Sequence, residues 1–179
     1  MVVKLGTGIL TGSNKQIDPN QIEQLVGQVA AQQKDGREVI VVSSGAVGAG
    51  MGVLNINKRP TDLSDLQACA AVGQSALMAT YSKLFSKYNL KVAQVLLTHD
   101  DLEDKERHLN ARNTLVSLLE KGVIPIVNEN DAVSYTELKF GDNDWLASLV
   151  ACLLPADLLV ILTTVDGLVE NFGKKNKLY

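Results

Sequence analysis

Five short apolar runs, rich in β-branched residues, recur along the chain, and four of them empty into glycine-rich or Asn/Asp-rich segments. They are Val2 to Leu5, Glu38 to Val42, Val92 to Thr98, Val123 to Asn128 and Leu158 to Thr163. Such runs are too short and too β-branched for buried helices, and their near-continuous apolarity is the pattern of strands covered on both faces. Between them lie longer stretches with helical periodicity. Asp18-Pro19 reads as an N-cap followed by proline in the first turn; Ile22, Leu25, Val26, Val29 and Ala30 follow at helical spacing, and Gly36 stands where a helix stops. Ser64-Asp65-Leu66-Gln67 has capping-box spacing and opens a long helix with Leu66, Ala70, Gly73, Leu77 and Leu84 on one stripe. Small residues around that stripe admit a close neighbour, either a packed helix or another subunit. Leu109 to Glu120, closed by Gly122, and Leu146 to Leu154 are further helices. The alternation predicts an α/β fold, a three-layer sandwich with a mainly parallel sheet.

In such a sheet, ligands lie beyond the carboxyl ends of the strands. Four segments should therefore meet at one edge: Gly6-Thr7-Gly8, Ser43-Ser44-Gly45, Asn128-Glu129-Asn130-Asp131 and Thr163-Thr164-Val165-Asp166-Gly167. Neither glycine turn has P-loop spacing, and no Rossmann Gly-x-Gly-x-x-Gly is in place. Lys4, near the end of the first strand, can instead supply a point charge, with the N–H groups of Gly6, Thr7 and Gly45 directed at an anion. The net charge of −3 means that any attraction for anions must be local. With only eight aromatic residues and no spaced stacking set, nucleic acid is not an expected partner. No apolar run approaches the roughly 18 residues of a membrane span, and the N-terminus lacks signal-peptide features, so no membrane partner and a cytoplasmic address are expected. Cys69 and Cys152 sit in apolar helical patterns and are expected to be buried, reduced thiols. His99 and His108 lie among Asp100, Asp101, Glu103, Asp104 and Glu106; this reads as a charged surface connection, and no metal site is assigned.

The strings VVKLGTG, VSSGAVGAG, AAVGQSALM, VLLTHDDLEDKERHLNARNTL, IPIVNENDAV and FGDNDWLAS, in this order, resemble the glutamate 5-kinase family of amino-acid kinases over nearly the whole chain. The resemblance implies the amino-acid kinase fold and transfer of the γ-phosphoryl of ATP, with Mg²⁺, to the γ-carboxylate of L-glutamate. It implies a catalytic set of Lys4, Gly45 and Asp144, in which Lys4 bridges phosphates, Gly45 donates to the moving phosphoryl and Asp144 orients lysines. It implies Ser44, Asp131 and Asn143 as substrate-binding residues, helped by Asn128, Asn130 and Asp142, and Lys4, Gly6, Thr163 and Thr164 as the nucleotide side. At Thr164, family members carry an aspartate or similar polar residue. The alternatives are a kinase of the same fold acting on acetylglutamate, aspartate or carbamate, and a catalytically silent amino-acid-binding fragment. Feedback by proline and a homo-oligomer are further expectations of the resemblance. On the same comparison, residues 1–179 form the N-terminal, amino-acid-binding portion of the kinase domain. The nucleotide-binding remainder and its second phosphate lysine are expected to be absent from these residues, Lys174, Lys175 and Lys177 falling too early for that role, and slow turnover by the 179 residues alone is expected.

The chemistry asked of such a site is modest. A glutamate side chain, with a reference pKa near 4.3, is already ionised at neutral pH, so no general base is needed. Two anions must be aligned and the charge on the transferred group offset. The ammonium group of the amino acid needs acceptors, for which Asp131 and the neighbouring amide oxygens are suited.

Overall fold

The computed structural model describes residues 1–12, 17–134, 143–165, 167, 169–170 and 177–178. Asp142, Asp166, Lys174 and Lys175, named above, lie outside the described residues. Five strands, β1 (Val2–Leu5), β2 (Ile40–Ser43), β3 (Lys91–Leu97), β4 (Val123–Glu129) and β5 (Leu159–Leu162), form one sheet in the order β3-β4-β2-β1-β5. Every pairing in it is parallel. Two short antiparallel strands, β6 (Val169–Glu170) and β7 (Lys177–Leu178), pair separately.

The helices are α1 (Thr7–Leu10), α2 (Pro19–Lys34), α3 (Ala46–Val53), α4 (Leu63–Ser86), α5 (His99–Glu103), α6 (Lys105–Glu120) and α7 (Asn143–Leu153). Strand alternation divides the core in two. Val3, Leu5, Val41, Ile124 and Ile126 face one way, against Ile22, Val26 and Val29 of α2 and Leu77, Tyr81, Leu84 and Phe85 of α4. Val2, Ile40, Val42 and Val127 face the other way, against Ala111 and Leu115 of α6 and Leu146, Ala147, Val150 and Leu153 of α7. The result is the expected three layers.

Local chemistry sets the ends of the helices. The Asp18 carboxylate accepts from Asn20 N–H at 2.9 Å, Pro19 follows it, and Gly36 leaves the helix at φ +82°. For α4 the expected capping box at Ser64 is not the cap. Asp62, two residues earlier, accepts from the N–H groups of Ser64 and Asp65, a carboxylate winning the position because it complements the positive helix end. Asp104 caps α6, which begins at Lys105, four residues before the expected Leu109, and accepts from the Glu106 and Arg107 N–H groups. The charged connection before it contains α5, begun by a reciprocal Thr98–Asp101 capping box. The Gly6-Thr7-Gly8 loop likewise holds the single turn α1.

Cys69 is buried, as expected, whereas Cys152 is exposed. The buried face of α7 runs through Leu146, Ala147, Val150 and Leu153, and a residue two positions beyond Val150 falls roughly 200° around the helix from it. The small-residue stripe of α4 receives α3. A Cβ on Gly73 would lie 1.8 Å from the Ala46 carbonyl oxygen, and one on Gly50 would lie 1.8 Å from that of Cys69. The two helices meet backbone to backbone, which only glycine permits at both positions. Among the described residues, no helix is long and apolar enough to cross a membrane.

Candidate functional site

The period of two that builds the core also aims the polar residues. Lys4 shares the face of Val2, the α7 side, and its ammonium forms an ion pair with Asp144, the second residue of α7. Lys4 is 5% exposed. An ammonium so far from water is held by its carboxylate partner, and here that contact ties the end of β1 to the start of α7. Gly6 continues past the strand with its N–H donating to the Leu162 carbonyl at 3.1 Å, so this N–H extends the ladder to β5 and is not the cleft donor expected from the sequence. What Gly6 contributes is room: a Cβ there would stand 3.1 Å from the Leu162 oxygen and 3.4 Å from Lys4 Nζ.

Ser43 falls on the α4 face, where its hydroxyl shares a 2.8 Å hydrogen bond with the Tyr81 hydroxyl. Burial pushes the Tyr81 phenol well above its ordinary value, so it stays neutral. Ser44 N–H donates to the Leu5 carbonyl at 3.0 Å, keeping the ends of β1 and β2 level. Gly45 then turns at φ +101°, a left-handed conformation suited to glycine, and caps α3. A Cβ there would come within 2.9 Å of Ile17 Cδ1. The first N–H groups of α3 consequently open toward the loop side of the sheet with the positive end of the helix behind them.

Asn128, the last residue of β4 on the α4 face, is 2% exposed, and Asn143, the first of α7, is 3% exposed. Asn143 Nδ2 lies 2.8 Å from Asn128 Oδ1, 3.0 Å from Ser44 Oγ and 3.2 Å from the Ser43 carbonyl oxygen. The ends of β2 and β4 and the start of α7 are thereby joined through one amide.

These residues floor a cleft of about 280 Å³, lined by Thr7, Ser44, Gly45, Asn128, Asn143 and Asp131, with Arg59 at its side. Asp131, in the turn after β4, is pushed up to about 6 by burial and by the charge of Glu129, against the pull of Arg59. Glu129 is itself raised by burial, which outweighs its hydrogen bonds from Ser134 and His99. Asp131 is thus an acid held in the cleft against both its burial and the charge of Glu129 behind it.

Of the expected site residues, Ser44, Gly45, Asp131 and Asn143 line one cleft, and Lys4 and Asp144 join beside Asn143. Thr163 and Thr164 follow β5 next to the β1 turn, where the Thr164 methyl would stand 2.7 Å from a Cβ on Gly8. They do not line the cleft among the described residues. Sequence reasoning does not single out Arg59, which lies in a connection without periodicity, or Gln74, which sits inside the small-residue stripe of α4 yet accepts from Asn128 Nδ2 at 3.0 Å. His99 pairs with Glu103 at 3.1 Å and packs on Trp145, while His108 Nδ1 lies 3.0 Å from the Leu102 carbonyl oxygen; both serve the α5–α6 connection.

The whole chain, residues 1–179, matches the amino acid kinase family. It is 54% identical over 168 residues to the glutamate 5-kinase of Citrifermentans bemidjiense, covering 94% of this chain and 45% of the relative. It is 52% identical to that of Azoarcus sp. strain BH72, with the same coverage, and 50% identical over its full 179 residues to that of Caldanaerobacter subterraneus subsp. tengcongensis, covering 47% of the relative. The chain thus spans about half the length of the curated relatives it matches. With its parallel sheet and a polar cleft at the carboxyl ends of β1, β2 and β4, the chain belongs to the amino acid kinase family.

Proposed function

We propose that this chain supplies the acceptor site and one phosphate-side lysine of a kinase that phosphorylates the γ-carboxylate of L-glutamate. The observation that carries the reading is the juxtaposition, across Asn143, of an amino-acid-sized polar cleft containing Asp131 with the Lys4–Asp144 pair. The relatives named above are glutamate 5-kinases, which supports glutamate over other acceptors.

In this reading Asp131 takes the ammonium group of glutamate, and Arg59 stands where it can meet a carboxylate. The side-chain carboxylate then reaches toward Lys4, already ionised and ready to attack phosphorus without a base. It forms the new carboxyl–phosphate bond as the bond to the leaving ADP oxygen breaks. The residues fit the terminal phosphate of ATP on one side: the Lys4 ammonium, the room above Gly6 and the N-terminus of α3 behind Gly45. Lys4 offsets charge on the transferred group, and Mg²⁺ entering with the nucleotide would supply further charge neutralisation there.

The test is a hydroxylamine trap with the full-length protein, ATP and Mg²⁺. Hydroxamate should form with glutamate and not with N-acetylglutamate or aspartate; equal yield with N-acetylglutamate, whose amine is blocked, would overturn the role of Asp131. Proline presents the same ammonium and carboxylate chemistry, and we extend the reading to proline competing in this cleft. Failure of proline to displace glutamate in a titration would remove that extension.

A further inference from the structure

Asn128 and Asn143 have a definite polarity, because each touches a backbone group that cannot change its role. The two ends of an amide are otherwise interchangeable. Glu129 N–H can only donate, and it meets Asn128 Oδ1 at 2.9 Å. The Ser43 carbonyl can only accept, and it meets Asn143 Nδ2 at 3.2 Å. With those ends fixed, Asn128 Oδ1 receives Asn143 Nδ2 on one side of the pair. Asn128 Nδ2 is left pointing into the protein and needs an acceptor. Gln74 Oε1 provides it at 3.0 Å, and Gln74 Nε2 passes on to Gln94 Oε1, also at 3.0 Å.

This chain of amides leaves one atom over. Asn143 Oδ1 is buried and has no hydrogen-bond partner among the described residues, and Asn143 lines the cleft. A buried acceptor without a donor is costly, so it requires a donor from whatever binds there. We infer that Gln74 is a positioning residue: by holding the Asn128 amide it fixes Asn143 with its oxygen toward the cleft, where that oxygen selects an ammonium group over a carboxylate. For the ligand, the inference rests on the reading of the cleft as a glutamate site. At neutral pH glutamate carries one donor group, its ammonium; its carboxylates would meet Asn143 Oδ1 lone pair to lone pair. Glutarate, which is glutamate without the amine, has nothing to offer that oxygen.

Replacing Gln74 by Leu leaves Asn128 Nδ2 a buried donor without its acceptor, a cost that competes with the contact to Glu129 N–H and loosens the Asn128 amide from Asn143. Gln74→Glu keeps an acceptor oxygen, and Gln94, exposed on β3, can turn its amide nitrogen toward it. The experiment titrates glutamate and glutarate into the full-length wild type and both variants by calorimetry. It also follows exchange of the Asn143 side-chain amide protons by NMR without ligand. Gln74→Leu should lower the preference for glutamate over glutarate about tenfold and abolish protection of the Asn143 amide, while Gln74→Glu retains both. Gln74→Met, similar in length and without a strong acceptor, replaces Gln74→Leu if that variant does not fold. Equal weakening of both ligands would show a merely structural role and overturn the inference. Unchanged amide protection in the Leu or Met variant would overturn it as well. A wild type that binds no glutamate would defeat the glutamate reading alone, since amide protection measures the polarity without any ligand.

Discussion

Replacing Asp131 by Asn should make the protein more stable, by an amount that depends on pH in a defined direction. The Asp131 carboxyl is raised from 3.8 to about 6 in the folded chain, by burial first and by Glu129 second. A carboxyl whose folded pKa lies above its unfolded value binds more protons folded than unfolded between the two values, so stability falls as pH rises through that window. The penalty is absent well below 3.8 and complete above about 6. At 1.36 kcal/mol per unit, the cost at pH 8 is about 3 kcal/mol, shrinking to about 1 kcal/mol at pH 4.5. Asparagine has nearly the same shape and no charge, so it should recover most of that cost. Urea denaturation followed by circular dichroism, at pH 8 and pH 4.5, reads both values. A gain of equal size at the two pH values, or none at pH 8, would refute the argument. The same variant should bind glutamate at least tenfold more weakly, since a neutral amide is a poor partner for an ammonium group. Gaining stability while losing binding is the signature of a site maintained for function.

Wild-type affinity for glutamate should fall about tenfold between pH 7 and pH 5, because Asp131 gains a proton through about 6 and can no longer balance an ammonium group; calorimetry giving a flat profile would count against it. Lys4→Ala in the full-length protein should lower turnover by roughly a thousandfold while glutamate still binds, given that the lysine acts on the transferred phosphate. Unchanged turnover would defeat the assignment. Gly73→Ala should cost about 3 kcal/mol or more in urea denaturation, since its Cβ would press on the Ala46 carbonyl at 1.8 Å. A loss below about 0.5 kcal/mol would show that α3 yields there.

What was legible in the sequence is what local rules govern. Asp18-Pro19 and Gly36 bracket α2 because a cap, a proline and a left-handed glycine each act within a few residues. The strands were found because continuous β-branched runs admit few other structures. Alternation also carried part of the site: once Val2 faces α7, Lys4 must as well, and Asp144 is there to meet it. The missed features are of a different kind. Asp62 outcompeted Ser64 as a cap, and sequence spacing does not rank two nearby candidates. Gln74 meets Asn128 across 54 positions of sequence, and no periodicity announces a glutamine whose partner lies on another element. Gly6 looked like a phosphate donor, but the sheet claims its N–H. Cys152 is one apolar residue too many on α7, whose inner face is already filled.

The backbone contact between α3 and α4 has a bearing on how this cleft could acquire a new acceptor. Gly50 and Gly73 lie so close to the Cys69 and Ala46 carbonyls that neither can gain a side chain without moving a main chain, and Gln74 follows directly in sequence. That wall is closed to innovation: nearly every substitution would damage folding before it altered recognition. The opposite wall has no such lock, since Arg59 belongs to an exposed connection and Asp131 to a turn. Libraries intended to redirect the site, and natural divergence toward other carboxylic acids, should therefore accumulate changes around positions 57–60 and 130–134 while residues 46–50 and 69–74 stay constant.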